Sequence, residues 1–234
     1  MIDHPRVPLW ADLSREVVRE SEAIEHSHPS AVLRYTASGS KEFNDMQLWL
    51  QPIVDWTMIS GFPVEPSMRP KLLAFPSLQR PHSRGRLTLR SASPSDQPTI
   101  ELNYLADPED MRRMLDGMRL TWRILHQPAV AAGWREPIVG ETRQALDQAT
   151  VASDSALMDF TRDNCTTLFH PVGTIKMGPA NDPMAVVDQY CCVRGVEGLR
   201  VVDASVMPNI VRANTNLTCI MIGERVADWM CGEA

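Results

Sequence analysis

The stretch TLFHPVGTIKMG (Thr167–Gly178), followed by AVVDQYCCVRGVEGLRVVDASVMP (Ala185–Pro208) and IVRANTNLTCIMIGERVADWM (Ile210–Met230), decides how the rest of the chain is read. It joins a histidine turn, a short strand at Leu199–Val202 that ends in Asp203, and an asparagine-rich turn that opens into an apolar, buried-looking helix after Asn214. These are parts of a site built on mixed secondary structure.

Upstream, the first hundred residues read mostly as β structure. Apolar segments at AVLRYT, MQLWLQPIV, KLLAFPSLQ, RGRLTLRSA and TIELNY are separated by turn-forming runs such as TASGSKEFND, PVEPSMRP and SPSDQP. The polar stretch SEAIEHSHPS precedes them. Alternation in Arg86-Leu87-Thr88-Leu89-Arg90 marks a strand with one wet face. The connections are too short for crossover helices, so the pairing is antiparallel, and Pro52, Pro76 and Pro81 mark strand ends, edges or bulges.

The period changes at Asp107-Pro108-Glu109-Asp110, where Asp107 reads as an N-cap and Pro108 as the first helical residue. Met111, Met114, Leu115, Met118, Trp122 and Leu125 then recur at spacings of three and four, an amphipathic helix that ends before Pro128 and lays its apolar face on the sheet. Residues 131–152 read as loop, and a shorter helix covers Asp154 to Asp163.

Composition bounds the function. With 44% hydrophobic and 22% charged residues the chain of 234 residues is globular, and a net charge of −6 leaves no electrostatic footprint for nucleic acid. Cys165, Cys191, Cys192, Cys219 and Cys231 lack metal-ligand spacing and read as free thiols of a reducing compartment; no metal site is expected. The N-terminus lacks the pattern of a secretory signal. The last helix carries Glu224, Arg225 and Asp228, so no transmembrane segment is expected and the protein is read as cytoplasmic.

The run Phe169-His170-Pro171-Val172-Gly173-Thr174 with Met177-Gly178, then Val187-Asp188, Gly198-Leu199-Arg200-Val201-Val202-Asp203-Ala204-Ser205 and Pro208, closely resembles the C-terminal part of the glucose–methanol–choline (GMC) flavoprotein oxidoreductases, of choline dehydrogenase type. Asn214 and the helix bearing Gly223-Glu224-Arg225 fit the same pattern. SRGRLTLRSASPSDQPTIELNYLADPEDM looks like the family's substrate-domain segment, and Asp3-His4-Pro5 resembles its DHP element.

The resemblance implies an α+β fold. Residues 1–163 would form a partial substrate-binding domain of antiparallel sheet and helices, and residues 164–234 the C-terminal flavin-contacting segment, a strand and helix belonging to an incomplete FAD-binding α/β domain. It also implies chemistry: FAD accepts hydride from the carbinol carbon of a small-molecule alcohol, which becomes a carbonyl, while His170 takes the hydroxyl proton. Imidazole suits that work because its ordinary pKa lies near neutrality. Read without the resemblance, a histidine between Phe169 and Pro171 is more often a hydrogen-bonded structural side chain.

Asn214 falls where the family carries its second catalytic residue, and its amide would donate to the substrate oxygen; standing alone, Asn214, Thr215 or Asn216 would each serve as a simple N-cap. The resemblance assigns Asp203 and Ala204 to backbone contacts with the ribityl and pyrophosphate region of FAD. The helix start at Asn214, Thr215, Asn216 and Leu217 would face the pyrimidine side of the flavin, where its positive end favours an anion.

No GxGxxG dinucleotide-binding turn occurs among the 12 glycines. The family's N-terminal FAD-binding half is therefore expected as a partner, in the same longer chain or in trans. The alternative is a catalytically inert fragment or split-enzyme subunit that needs that half in order to act.

Overall fold

The structure, a computed structural model, describes residues 1–22, 31–54 and 71–232. All of PVEPSMRP and most of SEAIEHSHPS lie outside the described residues. The chain divides into two compact units, one made of Met1–His4, Gln79–Asp107 and Thr167–Ala234, the other of Pro5–Leu78 and Pro108–Thr166.

The second unit is an antiparallel sheet with helices. Its strands are β1 (Pro5–Arg6), β2 (Leu9–Leu13), β3 (Ala31–Tyr35), β4 (Met46–Val54) and β5 (Lys71–Leu78), with β8 (Trp134–Val139) and β9 (Ala145–Leu146) following later in the chain. Pairing runs β3-β4-β5-β2-β8-β9, with β1 joining β5 ahead of β2. β5 is central and buried along most of its length. Pro76 is tolerated there because it sits at the step where β5 passes from β1 to β2 as its neighbour, and its carbonyl accepts from Val7 N (3.2 Å). Pro52 falls in the register shift between Gln51 and Val54, the bulge expected of it.

Helix α2 (Pro108–Leu125) lies on β4 and β5 and buries all six of its periodic apolar residues. It approaches closely because Gly117 has no side chain: a Cβ there would stand 2.8 Å from Met46 Cε and 2.8 Å from Pro76 Cβ. Within this packing Arg113 is fully buried, donating to Asp45 Oδ2 (2.9 Å) and Asp110 Oδ1 (2.6 Å). Asp45 also accepts from Ala37 N (2.9 Å) and Ser40 Oγ (2.6 Å), so the buried charges are paired and hydrogen-bonded.

Two expectations need correction in this unit. Residues 15–22 form a helix, α1 (Arg15–Glu22), inside a region read as β. Residues 131–152 are not a loop: they contain β8, β9 and α4 (Gln148–Ala152), after the short α3 (Pro128–Ala131). Glu136-Pro137 interrupts the alternation in β8, whose inward side chains are Trp134 and Ile138, four apart. α5 (Asp154–Asn164) matches its expected helix, capped by the Ser153 hydroxyl accepting from Ala156 N (3.3 Å).

The first unit contains the hairpin β6 (Arg86–Thr88) and β7 (Thr99–Glu101), a 3-10 turn at Ala204–Val206 and helix α6 (Asn216–Gly232). The two-residue β10 (Thr166–Thr167) falls where the chain passes between units. Here too the sequence expectations shift. β6 is exposed on both faces, with Leu87 at 43%. The strand expected over Leu199–Val202 is reduced to a single bridge, Cys192 to Arg200, because the Gly195 and Gly198 turn folds the segment tightly back on Cys191–Val193. α6 forms where expected, but Val226 is its one buried residue among those described, while Leu217, Ile220, Met221 and Met230 are exposed.

Two apolar clusters hold this unit together. Ile2, Val172, Met207 and Ile210 form one, with Cys219 and Ile222 of α6 packed against it; Val187, Cys191, Val206 and Val226 form the other. Among the described residues no helix is long and apolar enough to cross a membrane.

Candidate active site

The histidine turn is built by a pairing of distant segments. Ile2 and Val172 exchange both backbone hydrogen bonds (2.9 and 2.8 Å), and Leu168 N donates to His4 O (3.0 Å), so residues 2–4 run antiparallel to 168–172. Phe169 and Gly173 bracket His170 with positive φ, 63° and 80°. Gly173 is required there, since a Cβ would also stand 3.2 Å from Met207 O. A phenylalanine in the left-handed region carries a conformational cost, which the surrounding bonds offset: Phe169 N donates to Thr167 Oγ1 (2.7 Å).

Asp3 holds the turn. Its buried carboxylate accepts from His4 N (2.8 Å) and His170 N (3.0 Å) through Oδ1, and from Thr167 Oγ1 (2.6 Å) and the Tyr104 hydroxyl through Oδ2. Two histidine backbones and two hydroxyls thus converge on one carboxylate, a set of charge-assisted bonds that satisfies the buried charge.

The imidazole of His170 lies between two partners. On one side its Nε2 is 3.4 Å from Asn214 Nδ2, at an exposed position. On the other its Nδ1 is 3.0 Å from Nδ1 of His4, with the rings edge to face and their centroids 5.2 Å apart. His4 is fully buried, and its Nε2 meets Val211 O at 3.0 Å. Burial, seconded by the neighbouring His170, pushes the His4 pKa down to about 4 against the opposing pull of Asp3 and the Val211 and Gln79 backbone, so the ring is neutral at neutral pH.

The expected site residues can now be placed. His170 and Asn214, far apart in sequence, are brought together at their side-chain tips. Asp203 caps the 3-10 turn, accepting from Ser205 N (2.7 Å), and Ala204 O accepts from Gly173 N (3.4 Å), which ties that turn to the histidine turn. Ala204 also packs in the cluster that includes Cys219 and Ile222. Thr215 is buried and its carbonyl accepts the first helical bond of α6, from Cys219 N (2.9 Å); Asn214, Asn216 and Leu217 are exposed at the helix start.

The sequence reading assigned no role to Asp3, His4, Tyr104 or Thr167. The signal was present in Asp3-His4-Pro5, but nothing in the spacing indicates that these residues meet His170 across more than 160 positions.

The residues present suit one edge of a flavin. Ser205 Oγ is buried without a hydrogen-bond partner among the described residues, beside the turn assigned to cofactor contact. The α6 N-terminus offers backbone donors and positive potential, and Leu217, 78% exposed, adds an apolar surface suited to a flat heteroaromatic group.

Known proteins with the same pattern give this arrangement its context. Over 148 residues the chain is 43% identical to alcohol dehydrogenase [acceptor] of Pseudomonas putida, covering 63% of this chain and 25% of that protein. Over 153 residues it is 44% identical to the oxygen-dependent choline dehydrogenase of Pseudomonas aeruginosa (strain LESB58), covering 65% of this chain and 26% of that protein. A structure of Aspergillus oryzae formate oxidase, solved to follow the effect of a mutation on FAD modification, has the same fold over 99% of this chain and 46% of its own, with a TM-score of 0.74 and 23% identity. The matched region thus spans about a quarter of the length of these curated relatives. The family model described as GMC oxidoreductase matches residues 81–223, well over half of the chain, and the protein therefore belongs to the GMC oxidoreductase family.

Proposed function

We propose that this chain carries the reactive side of an FAD-dependent oxidoreductase that converts an alcohol to a carbonyl compound, with His170 as proton acceptor and Asn214 as its partner. The observation that carries the reading is the 3.4 Å approach of His170 Nε2 and Asn214 Nδ2 at an exposed position beside the start of α6. A hydroxyl oxygen about 3 Å from each atom completes a triangle: it donates its proton to Nε2 and accepts from the Asn214 amide.

Bound FAD supplies the hydride acceptor, which no side chain of the chain can provide. His170 removes the hydroxyl proton at Nε2, and the electron pair left on oxygen forms the C=O bond as the carbinol hydrogen departs with its own pair. Asn214 Nδ2 stabilises the negative charge that builds on that oxygen. The N-terminal turn of α6 stabilises negative charge at its positive end, with Asn216 and Leu217 presented there. Asp203 and Ala204 hold the adjoining turn against the histidine turn.

Substrates of the choline or simple-alcohol type fit the names of the relatives. The dinucleotide-binding turn, absent from this sequence, would come from further chain or from a subunit in trans, and until that half is supplied the chain would be inert. The exposed apolar residues of α6 favour such docking. The test is anaerobic flavin reduction by an alcohol in the protein assembled with its FAD-binding half. His170→Ala should slow it by about a hundredfold or more, the scale of general-base loss. Normal reduction in that variant would remove His170 from the role.

A further inference from the structure

The hydrogen-bond chain running inward from Asn214 has a fixed polarity, and that polarity is set at its buried end. The Val211 carbonyl only accepts, so His4 Nε2, 3.0 Å away, must carry a hydrogen. His4 is fully buried and neutral, so its ring has one hydrogen and its Nδ1 carries a lone pair. His170 Nδ1, 3.0 Å from that lone pair, must then be the donor. In neutral His170 this leaves Nε2 as the acceptor, and the group it faces, the Asn214 amide nitrogen, is a donor. With the hydrogen of His4 on Nε2, every link from Asn214 through His170 and His4 to Val211 is satisfied in one direction, and the Gln79 backbone also favours a hydrogen on the His4 ring.

Resting on the assignment of His170 as base, we propose that His4 is a positioning residue that locks His170 in the Nδ1–H tautomer and so keeps the Nε2 lone pair aimed at the substrate hydroxyl. The opposite tautomer has its hydrogen on Nε2 and cannot take a proton there. When His170 accepts the substrate proton, its Nδ1–H remains bonded to the His4 lone pair, and His4 neither gains nor loses a proton. Asp3 supports the lock by holding the backbone N–H groups of both histidines on one carboxylate oxygen. The work of an orienting carboxylate is here given to a second, neutral imidazole.

The test reads tautomers directly, by nitrogen NMR of the chain labelled at its histidine rings, at neutral pH. The expected spectrum shows unprotonated Nδ1 for His4 and unprotonated Nε2 for His170, with scalar coupling between the two Nδ1 atoms across the shared hydrogen. A His170 ring protonated at Nε2 overturns the proposal, and that measurement needs no variant to fold. His4→Phe removes the acceptor and should bring a substantial Nε2–H population to His170. His4→Asn, whose Oδ1 falls near the position of the lost Nδ1, should restore the Nδ1–H form; unchanged tautomers in the folded Phe variant would also overturn the proposal. In the assembled enzyme His4→Phe should lower kcat about tenfold or more with little change in KM, and the Asn variant should recover most of it. Failure of the base assignment is seen separately: His170→Ala with intact flavin reduction removes the catalytic consequence, while the spectra still decide whether the lock exists.

Discussion

Acidification should destabilise this protein through His4. The ring is fully buried, and burial holds its pKa at about 4, below the ordinary 6.5 it regains in the unfolded chain. Between those values the unfolded chain binds a proton that the folded one refuses, so stability is full above about pH 6.5 and falls as pH drops toward the folded value. Each unit of difference is worth about 1.4 kcal/mol. The loss from this one group is then about 2 kcal/mol at about pH 5 and about 3 kcal/mol once the solution is below both values. The groups that face the ring are His170, which disfavours its protonation, and Asp3 with the Val211 and Gln79 backbone, which favour it. Urea unfolding at about pH 7 and about pH 5 measures the effect, with His4→Gln as reference because it removes the titration and leaves the rest of the chain unchanged. The wild-type protein should lose about 2 kcal/mol more than the variant over that interval, whatever the variant's stability at neutral pH. Parallel losses in the two proteins would refute a buried, neutral His4 and the tautomer argument built on it.

Asn214→Ala should slow anaerobic flavin reduction in the assembled enzyme by about a hundredfold, since it deletes one donor to the developing oxyanion; a change under about threefold would show that the amide is only a cap. Asp45→Ala leaves Arg113 buried with one carboxylate where it had two, and should cost about 3 kcal/mol in urea unfolding. A loss below about 1 kcal/mol would mean that water enters to replace the carboxylate. Gly173→Ala meets both a left-handed backbone and the Met207 carbonyl, so it should cost about 1–2 kcal/mol and blur the His170 ring resonances.

The parts of the fold legible in sequence were those with an undisturbed period. MQLWLQPIV is β4 from end to end, and the methionine-rich spacing after Pro108 is the buried face of α2. β8 was missed because Glu136-Pro137 breaks its alternation, leaving Trp134 and Ile138 at a spacing that suits a helix as well as a strand. Arg113 and Asp45 were illegible for another reason: a buried ion pair looks in sequence like two surface charges, and only the fold supplies the partner. In the candidate site, resemblance to a family pattern singles out His170 and Asn214, whereas His4 stands in plain view within Asp3-His4-Pro5 without a role. The role proposed for it depends on which atom faces the Val211 carbonyl, a matter of geometry that no spacing rule encodes.

Asp3 explains how that geometry is ready before any cofactor or substrate arrives. Its carboxylate collects donors from three separate segments: the His4 backbone beside it, Tyr104 from the Gln79–Asp107 segment, and Thr167 and His170 from the histidine turn. Each bond fixes a backbone N–H or a side-chain hydroxyl. The carboxylate therefore spends its acceptors on holding the two imidazoles in register, while His170 Nε2 faces Asn214 Nδ2 at 3.4 Å. On the proposed assignment of His170, a base oriented this way would need no rearrangement when the hydroxyl binds, and preorganised polar groups contribute most to catalysis when reorganisation is already complete. Removing the Asp3 carboxylate should accordingly perturb the His170 ring resonances more than removing either hydroxyl, because Tyr104 and Thr167 each give it one bond while the His4 and His170 backbones are both held on its Oδ1.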